Sequence, residues 1–239
     1  MSEQPLDGHP LDGHPLDNMA WHALNGAQAD LAQWSEDRVA VCYPRKVFPV
    51  AAVDQLDVDG WRALGQLAGE NGIISLFRSE PAPPPSGWSE LFAEEITQYT
   101  SDELADPPDL GIVELGVDDV EDMVALTKLT EPGPFSYETY ITGRYFGLRR
   151  DGQLLAMAGE RMRVAGWGEV SAVCVHPDGQ RQGLGEALTL AAASAITERG
   201  DRAMLHVRNG NDPAHRLYQR LGFEARTAIN VSVLRRAEG

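Results

Sequence analysis

Cysteine is nearly absent: the 239-residue chain holds only Cys42 and Cys174, far apart and each in apolar surroundings. Two such thiols suit reduced, buried side chains rather than a disulfide framework. Long apolar runs are also missing. No stretch approaches the roughly 20 residues needed to span a bilayer, and residues 1–18 have neither the basic start nor the apolar core of a secretory signal. A cytoplasmic chain with no membrane partner is the expectation. Positive charge is scarce as well, 20 Lys and Arg against 36 Asp and Glu, for a formal net charge of −16. Binding to a phosphate backbone depends on clustered cations, so nucleic acid is not an expected partner. An acidic field favours a cationic substrate such as an amine, and it serves solubility equally well.

What is present divides unevenly. A hydrophobic fraction of 43% is enough for real cores, and the length suits two small domains. The chain opens on a five-residue repeat, Pro5-Leu6-Asp7-Gly8-His9, Pro10-Leu11-Asp12-Gly13-His14, Pro15-Leu16-Asp17-Asn18. With Pro, Gly and Asp recurring and little to bury, residues 1–18 read as a disordered tail. His9 and His14 lack further ligands at recognisable spacing, so no metal is expected. Residues 19–108 read as a small α/β unit of unassigned role, with short strands over 38–43 and 72–78 around a helix over 58–69. Proline-rich stretches at 81–85 and 101–108 are soft boundaries.

From residue 109 to 239 the pattern is clearer. A strand over 112–115 precedes a helix in which Val117, Val120 and Val124 recur, and Pro132 and Pro134 close it. Strands over 145–149, 154–161 and 169–175 follow with connections short enough for antiparallel neighbours. A long helix over 185–199, a strand over 203–207, a helix over 213–221 and a strand over 230–234 complete a β-α-β-β-β-α-β-α-β order.

The stretch from Val173 to Gly185 runs from an apolar strand through a polar turn into a helix. A helix start presents free N–H groups and a partial positive charge, which suits a phosphate. Gly183 and Gly185 let an anion approach the main chain, and Gln180, Arg181 and Gln182 add donors. The sequence is neither a P-loop nor a three-glycine dinucleotide fingerprint.

Gln180-x-x-Gly183-x-Gly185 after a Val-x-Val-x-Pro strand end resembles the acetyl-CoA motif of the GNAT superfamily of N-acetyltransferases. Downstream, Asn211-x-x-Ala214-x-x-Leu217-Tyr218-x-x-x-Gly222-Phe223 is similar to a second motif of that family. The run Ala156-Met157-Ala158-Gly159-Glu160-Arg161 ahead of Glu169, with Leu205-His206-Val207 later, is similar to the glycine N-acyltransferase-like branch. The resemblance implies a mixed, largely antiparallel sheet flanked by helices, an α/β (α+β) fold preceded by the smaller unit. It further implies acetyl-CoA as cosubstrate and a small-molecule or peptide amine as acceptor, which attacks the thioester directly. Val173, Cys174 and Val175 would then face the pantetheine arm from the strand, and Arg181, Gln182, Gly183, Leu184, Gly185 and Glu186 would hold the pyrophosphate. Asn211 would meet the pantetheine or cap the helix at Pro213.

An ammonium must lose a proton before it attacks a thioester. Glu169, at the start of the strand leading into the motif, is the first candidate base, against a reading as a solvated strand-end carboxylate. Glu160, His206 or water are the alternatives. Tyr218 matches the family tyrosine that donates to the departing thiolate. A CoA-binding module without turnover and an interaction protein acting through the N-terminal half are the rival readings. Oligomeric state stays open, a homodimer included.

Overall fold

The computed structural model describes residues 13–237. The elements, in chain order, are α1 (Met19–Leu24), β1 (Gln33–Trp34), β2 (Ala40–Cys42), β3 (Ala51–Val53), α2 (Val58–Ala68), β4 (Ile73–Arg78), β5 (Trp88–Thr100), β6 (Val113–Leu115), α3 (Val120–Thr130), β7 (Tyr145–Arg150), β8 (Gln153–Val164), β9 (Trp167–Val175), α4 (Leu184–Glu198), β10 (Arg202–Arg208), α5 (Asp212–Leu221) and β11 (Glu224–Arg236). The order of elements from β6 onward is the one the hydrophobic pattern predicts. Local chemistry sets the helix ends: Asp57 accepts from the Gly60 amide at 2.8 Å to start α2, and Gly222 at φ +98° ends α5, both in keeping with helix-cap preferences.

Eight strands form one sheet in the order β4-β11-β5-β10-β9-β8-β7-β6, and β1–β3 form a small second sheet. All neighbours in the large sheet are antiparallel except β9 and β10, which run parallel. This changes the expected division of the chain. β5 lies between β11 and β10, so a boundary at 108/109 cuts through one continuous sheet. The proline stretches that suggested separate domains are loops between strands of that sheet. β5 itself carries no sequence signal, because its first half is exposed on both faces and shows no alternation.

The tail is corrected in part as well. Residues 1–12 lie outside the described residues, but Pro15–Asn18 forms a 3-10 turn capped by His14. Leu16 is 1% exposed there, and the Asp17 carbonyl accepts from the Ser79 amide at 2.9 Å. Together with the ion pair between Asp17 and Arg226, these contacts seat a segment whose composition alone promised little to bury.

Helix α4 covers one face of the sheet, burying Leu188 and Ile196 against Leu155, Val170 and Leu205. The opposite face is covered in two pieces. The α3 helix sets Met123 and Leu126 over Met157 and Cys174, whereas α1 and β2 set Met19, Leu24 and Val41 over Met162, Trp167 and Met204. No helix among the described residues is long and apolar enough to cross a membrane.

Candidate active site

β9 and β10 pair only at their starts, Trp167 to Glu169 against Arg202 to Met204, and no pairing continues beyond. The divergence opens a cleft of about 550 Å³ between the strands. In β9 the register with β8 jumps from Met157–Cys174 to Gly159–Ser171, and Ala172 sits at φ +52°. A β-bulge with a non-glycine residue in the left-handed region costs about 1 to 3 kcal/mol, and such strain persists where the surroundings enforce it. The bulge turns the main chain of residues 172–173 out of the ladder beside the cleft.

At one end of the cleft, His176 caps a short turn over Pro177–Gly179. The chain then takes left-handed φ at Arg181 and Gly183 before α4 begins. The first amides of this 15-residue helix have no intrahelical acceptor and carry its positive dipole end. A Cβ on Gly185 would come within 3.6 Å of Val175 and 3.8 Å of Leu217, so a larger side chain would enter the space between strand end and α5. Of the residues singled out by sequence, Val173, Cys174, Val175, Gln180, Asn211 and Tyr218 line the cleft together with Glu169. Arg181, Gln182, Gly183, Leu184, Gly185 and Glu186 are not among the lining residues; they build the turn and first helical turn alongside it. Leu184 points into the core, Glu186 pairs with Arg220 at 2.9 Å, and Gln182 accepts from Arg150 at 3.1 Å. Asn211 caps α5, its side-chain Oδ1 accepting from the Ala214 amide at 3.2 Å.

The other end of the cleft is polar and buried. Glu169 is 1% exposed, which excludes a solvated strand-end carboxylate. Arg161 donates to it twice, Nε at 2.9 Å and Nη2 at 2.6 Å, and His206 Nδ1 lies 2.7 Å from Oε1. Burial alone would raise this carboxyl, but the Arg161 guanidinium and His206 pull it down to about 2. Arg161 in turn lies between the rings of Phe48 and Phe77. Glu160, the alternative carboxylate, faces the α4 side and binds Arg199 at 2.5 and 3.2 Å, away from the cleft. Tyr218 is 8% exposed; burial pushes its phenol up to about 12, so it remains a donor at neutral pH. Burial likewise pushes the Cys174 thiol up to about 11, which suits a wall residue rather than a nucleophile.

Sequence reasoning assigned no role to Arg161 or Gln98. The signal for Arg161 was available, since an arginine inside the apolar run of β8 needs a buried partner. Gln98 carried no signal, because β5 was not recognised.

Residues 145–231 match the family described as FR47-like protein. A GNAT-family protein from Novosphingobium aromaticivorans is similar over 95% of this chain and 100% of its own, at 35% identity and TM-score 0.87. A GCN5-related N-acetyltransferase from Kribbella flavida shares the fold at TM-score 0.61 and 20% identity, over 94% of this chain and 96% of its own. The protein therefore belongs to the GNAT family of acetyltransferases. Two relatives, both named mycothiol acetyltransferase, match over shorter stretches. One from Thermomonospora curvata is 41% identical over 87 residues, 36% of this chain and 29% of its own length. The other, from Saccharomonospora viridis, is 48% identical over 58 residues, 24% and 19% respectively. The chain thus spans less than a third of the curated relatives it matches.

Proposed function

We propose that the protein transfers the acetyl group of acetyl-CoA to a primary amine by direct attack. The observation that carries this reading is the continuous cleft between diverging strands, with a helix N-terminus at one end and a buried carboxylate at the other. Acetyl-CoA, when bound, supplies a thioester carbonyl as electrophile. Residues 181–186 would hold its pyrophosphate through main-chain amides, and the edge of β9 from Val173 to Val175 would bind the pantetheine. Amides turned out by the bulge at Ala172 are suited to bind the thioester oxygen, where preorganised donors contribute most. Tyr218 donates a hydrogen bond to the departing sulfur. A phenol at about 12 shares its proton with a thiolate of ordinary pKa about 8.5 rather than surrendering it, so its part is modest.

Glu169, the candidate base, is too acidic to strip a free ammonium. It is suited instead to take the proton as the nitrogen is acylated, when that proton becomes far more acidic. The free amine fraction must then come from the acceptor itself. At pH 7 an α-amine of pKa about 7.7 to 8.0 supplies roughly a tenth of its molecules in neutral form, whereas a lysine-like amine near 10.4 supplies under about a thousandth. Amines of low pKa are the favoured acceptors. The partial matches to proteins named mycothiol acetyltransferase support acetyl transfer and leave the acceptor to experiment.

Calorimetric titration with acetyl-CoA tests the reading, using wild type and the double variant Gly183→Val, Gly185→Val, with folding checked by melting. Micromolar binding lost in the variant supports it, as does thiol release on adding α-amines. Absence of binding by the wild type would overturn it.

A further inference from the structure

The imidazole of His206 has both nitrogens engaged. Nδ1 meets Glu169 Oε1 at 2.7 Å, and Nε2 meets the Gln98 side-chain nitrogen at 2.9 Å. An ionised carboxylate only accepts, so Nδ1 carries a proton. The Gln98 amide has one consistent orientation. Its nitrogen also donates to the Leu16 carbonyl at 3.1 Å, and its oxygen accepts from Arg226 Nε. Turning it over would set NH2 against a guanidinium and oxygen against a carbonyl. Gln98 is 0% exposed, so water does not replace either partner. Its NH2 therefore points at Nε2, which must present a lone pair. Arg226 is held in place by Asp17 through Nη2, and Asp17 belongs to the turn of Pro15–Asn18. Charged groups approach the ring as Glu169 and Arg161 on the cleft side and as Arg226 with Asp17 behind Gln98; the Phe77 ring lies 6.1 Å away.

We propose that Gln98, oriented by Arg226 and by the third copy of the N-terminal repeat, is a positioning residue that keeps His206 neutral with its proton on Nδ1. The consequence rests on the amine acceptor proposed above. Arg161 and Glu169 cancel, so with a neutral His206 this buried cluster carries no net charge. A doubly protonated ring would make it net positive and repel the incoming ammonium. An imidazolium beside a carboxylate is ordinarily favourable. Gln98 prevents it here by offering a donor where the second proton would need an acceptor.

The test combines side-chain 15N spectra of His206 in the full-length protein at pH 7 with steady-state kinetics. Wild type should show a singly protonated ring with the proton on Nδ1. In Gln98→Glu, Nε2 gains an acceptor, so the ring should become doubly protonated. KM for the amine should then rise about tenfold, the effect of one added charge at this range, with KM for acetyl-CoA changed less than about twofold. Arg226→Leu, at a less buried position, removes one of the two groups that orient the amide and should move the spectrum and the amine KM in the same direction by a smaller amount. A wild-type ring protonated on Nε2, or a ring still neutral in both variants, would overturn the proposal. So would a doubly protonated ring with the amine KM unchanged. Because the spectra need no turnover, a protein that acetylates no amine yet shows the stated ring states refutes the proposed reaction and leaves the positioning of His206 standing.

Discussion

Two buried glutamates stand on neighbouring strands, Glu160 on β8 and Glu169 on β9, each gripped by an arginine through two hydrogen bonds. Their carboxyls move in opposite directions. Burial outweighs the Arg199 guanidinium at Glu160 and pushes it up, whereas Arg161 and His206 outweigh burial at Glu169 and bring it down to about 2. Arg199 is 33% exposed and also serves Asp201, so its charge is shared and hydrated. Arg161 is enclosed, and Glu169 has a third donor. The number and enclosure of donors, rather than burial, decides the direction in which each carboxyl moves. Only the depressed one faces the cleft.

The largest expected effect separates the two by turnover. Glu169→Gln should lower kcat/KM for the amine by roughly 100-fold or more, within the range seen for positioned acid–base groups. It should also destabilise the fold by on the order of 3 kcal/mol, because Arg161 is left buried without its counter-charge. Glu160→Gln should leave kcat/KM within about threefold, since a solvent-facing Arg199 loses little. Equal losses in both variants, measured with one amine, would erase the functional distinction.

The next effect is in the pH dependence of stability. A carboxyl depressed by folding contributes stability that is present above the unfolded value of 4.5 and lost as pH falls toward about 2. A raised carboxyl does the reverse: its contribution is present below 4.5 and lost as pH rises through the folded value. Melting curves from pH 3 to 7 should therefore show the penalty of Glu169→Gln growing with pH and that of Glu160→Gln shrinking. Parallel trends would mean that the two sites do not differ in sign.

The same pair marks how far the sequence could be read. Both glutamates stood out as candidate bases, yet nothing in their spacing told which face each side chain takes. A bulge on β9 and register jumps on β8 break the two-residue alternation between them. The elements from β6 to β11 were legible because their apolar periodicity is strong and their turns carry Gly and Pro. The Gln180 to Gly185 turn was legible for the same reason, being a local feature. What escaped was non-local: β5, whose exposed half has no pattern, and the contacts of Asp17, Gln98 and Arg226 with the site, which join residues up to 209 positions apart. Long-range partners of polar side chains leave no periodic trace, so the acceptor end of the cleft was far less readable than the cofactor end.

The smallest effect tests that cofactor end. Asn211 caps α5 and also lines the cleft, so its two roles must be separated by substitution. Asn211→Ala should cost about 1 kcal/mol through the lost cap, lowering Tm by about 2 to 4 °C for a chain of this size. Serine caps as well as asparagine does but has no side-chain amide to offer a ligand. Asn211→Ser should therefore restore Tm while leaving KM for acetyl-CoA raised by about two- to tenfold, the worth of one hydrogen bond. Restoration of both would reduce Asn211 to a cap, and the pantetheine would then be held by the main chain of β9 alone.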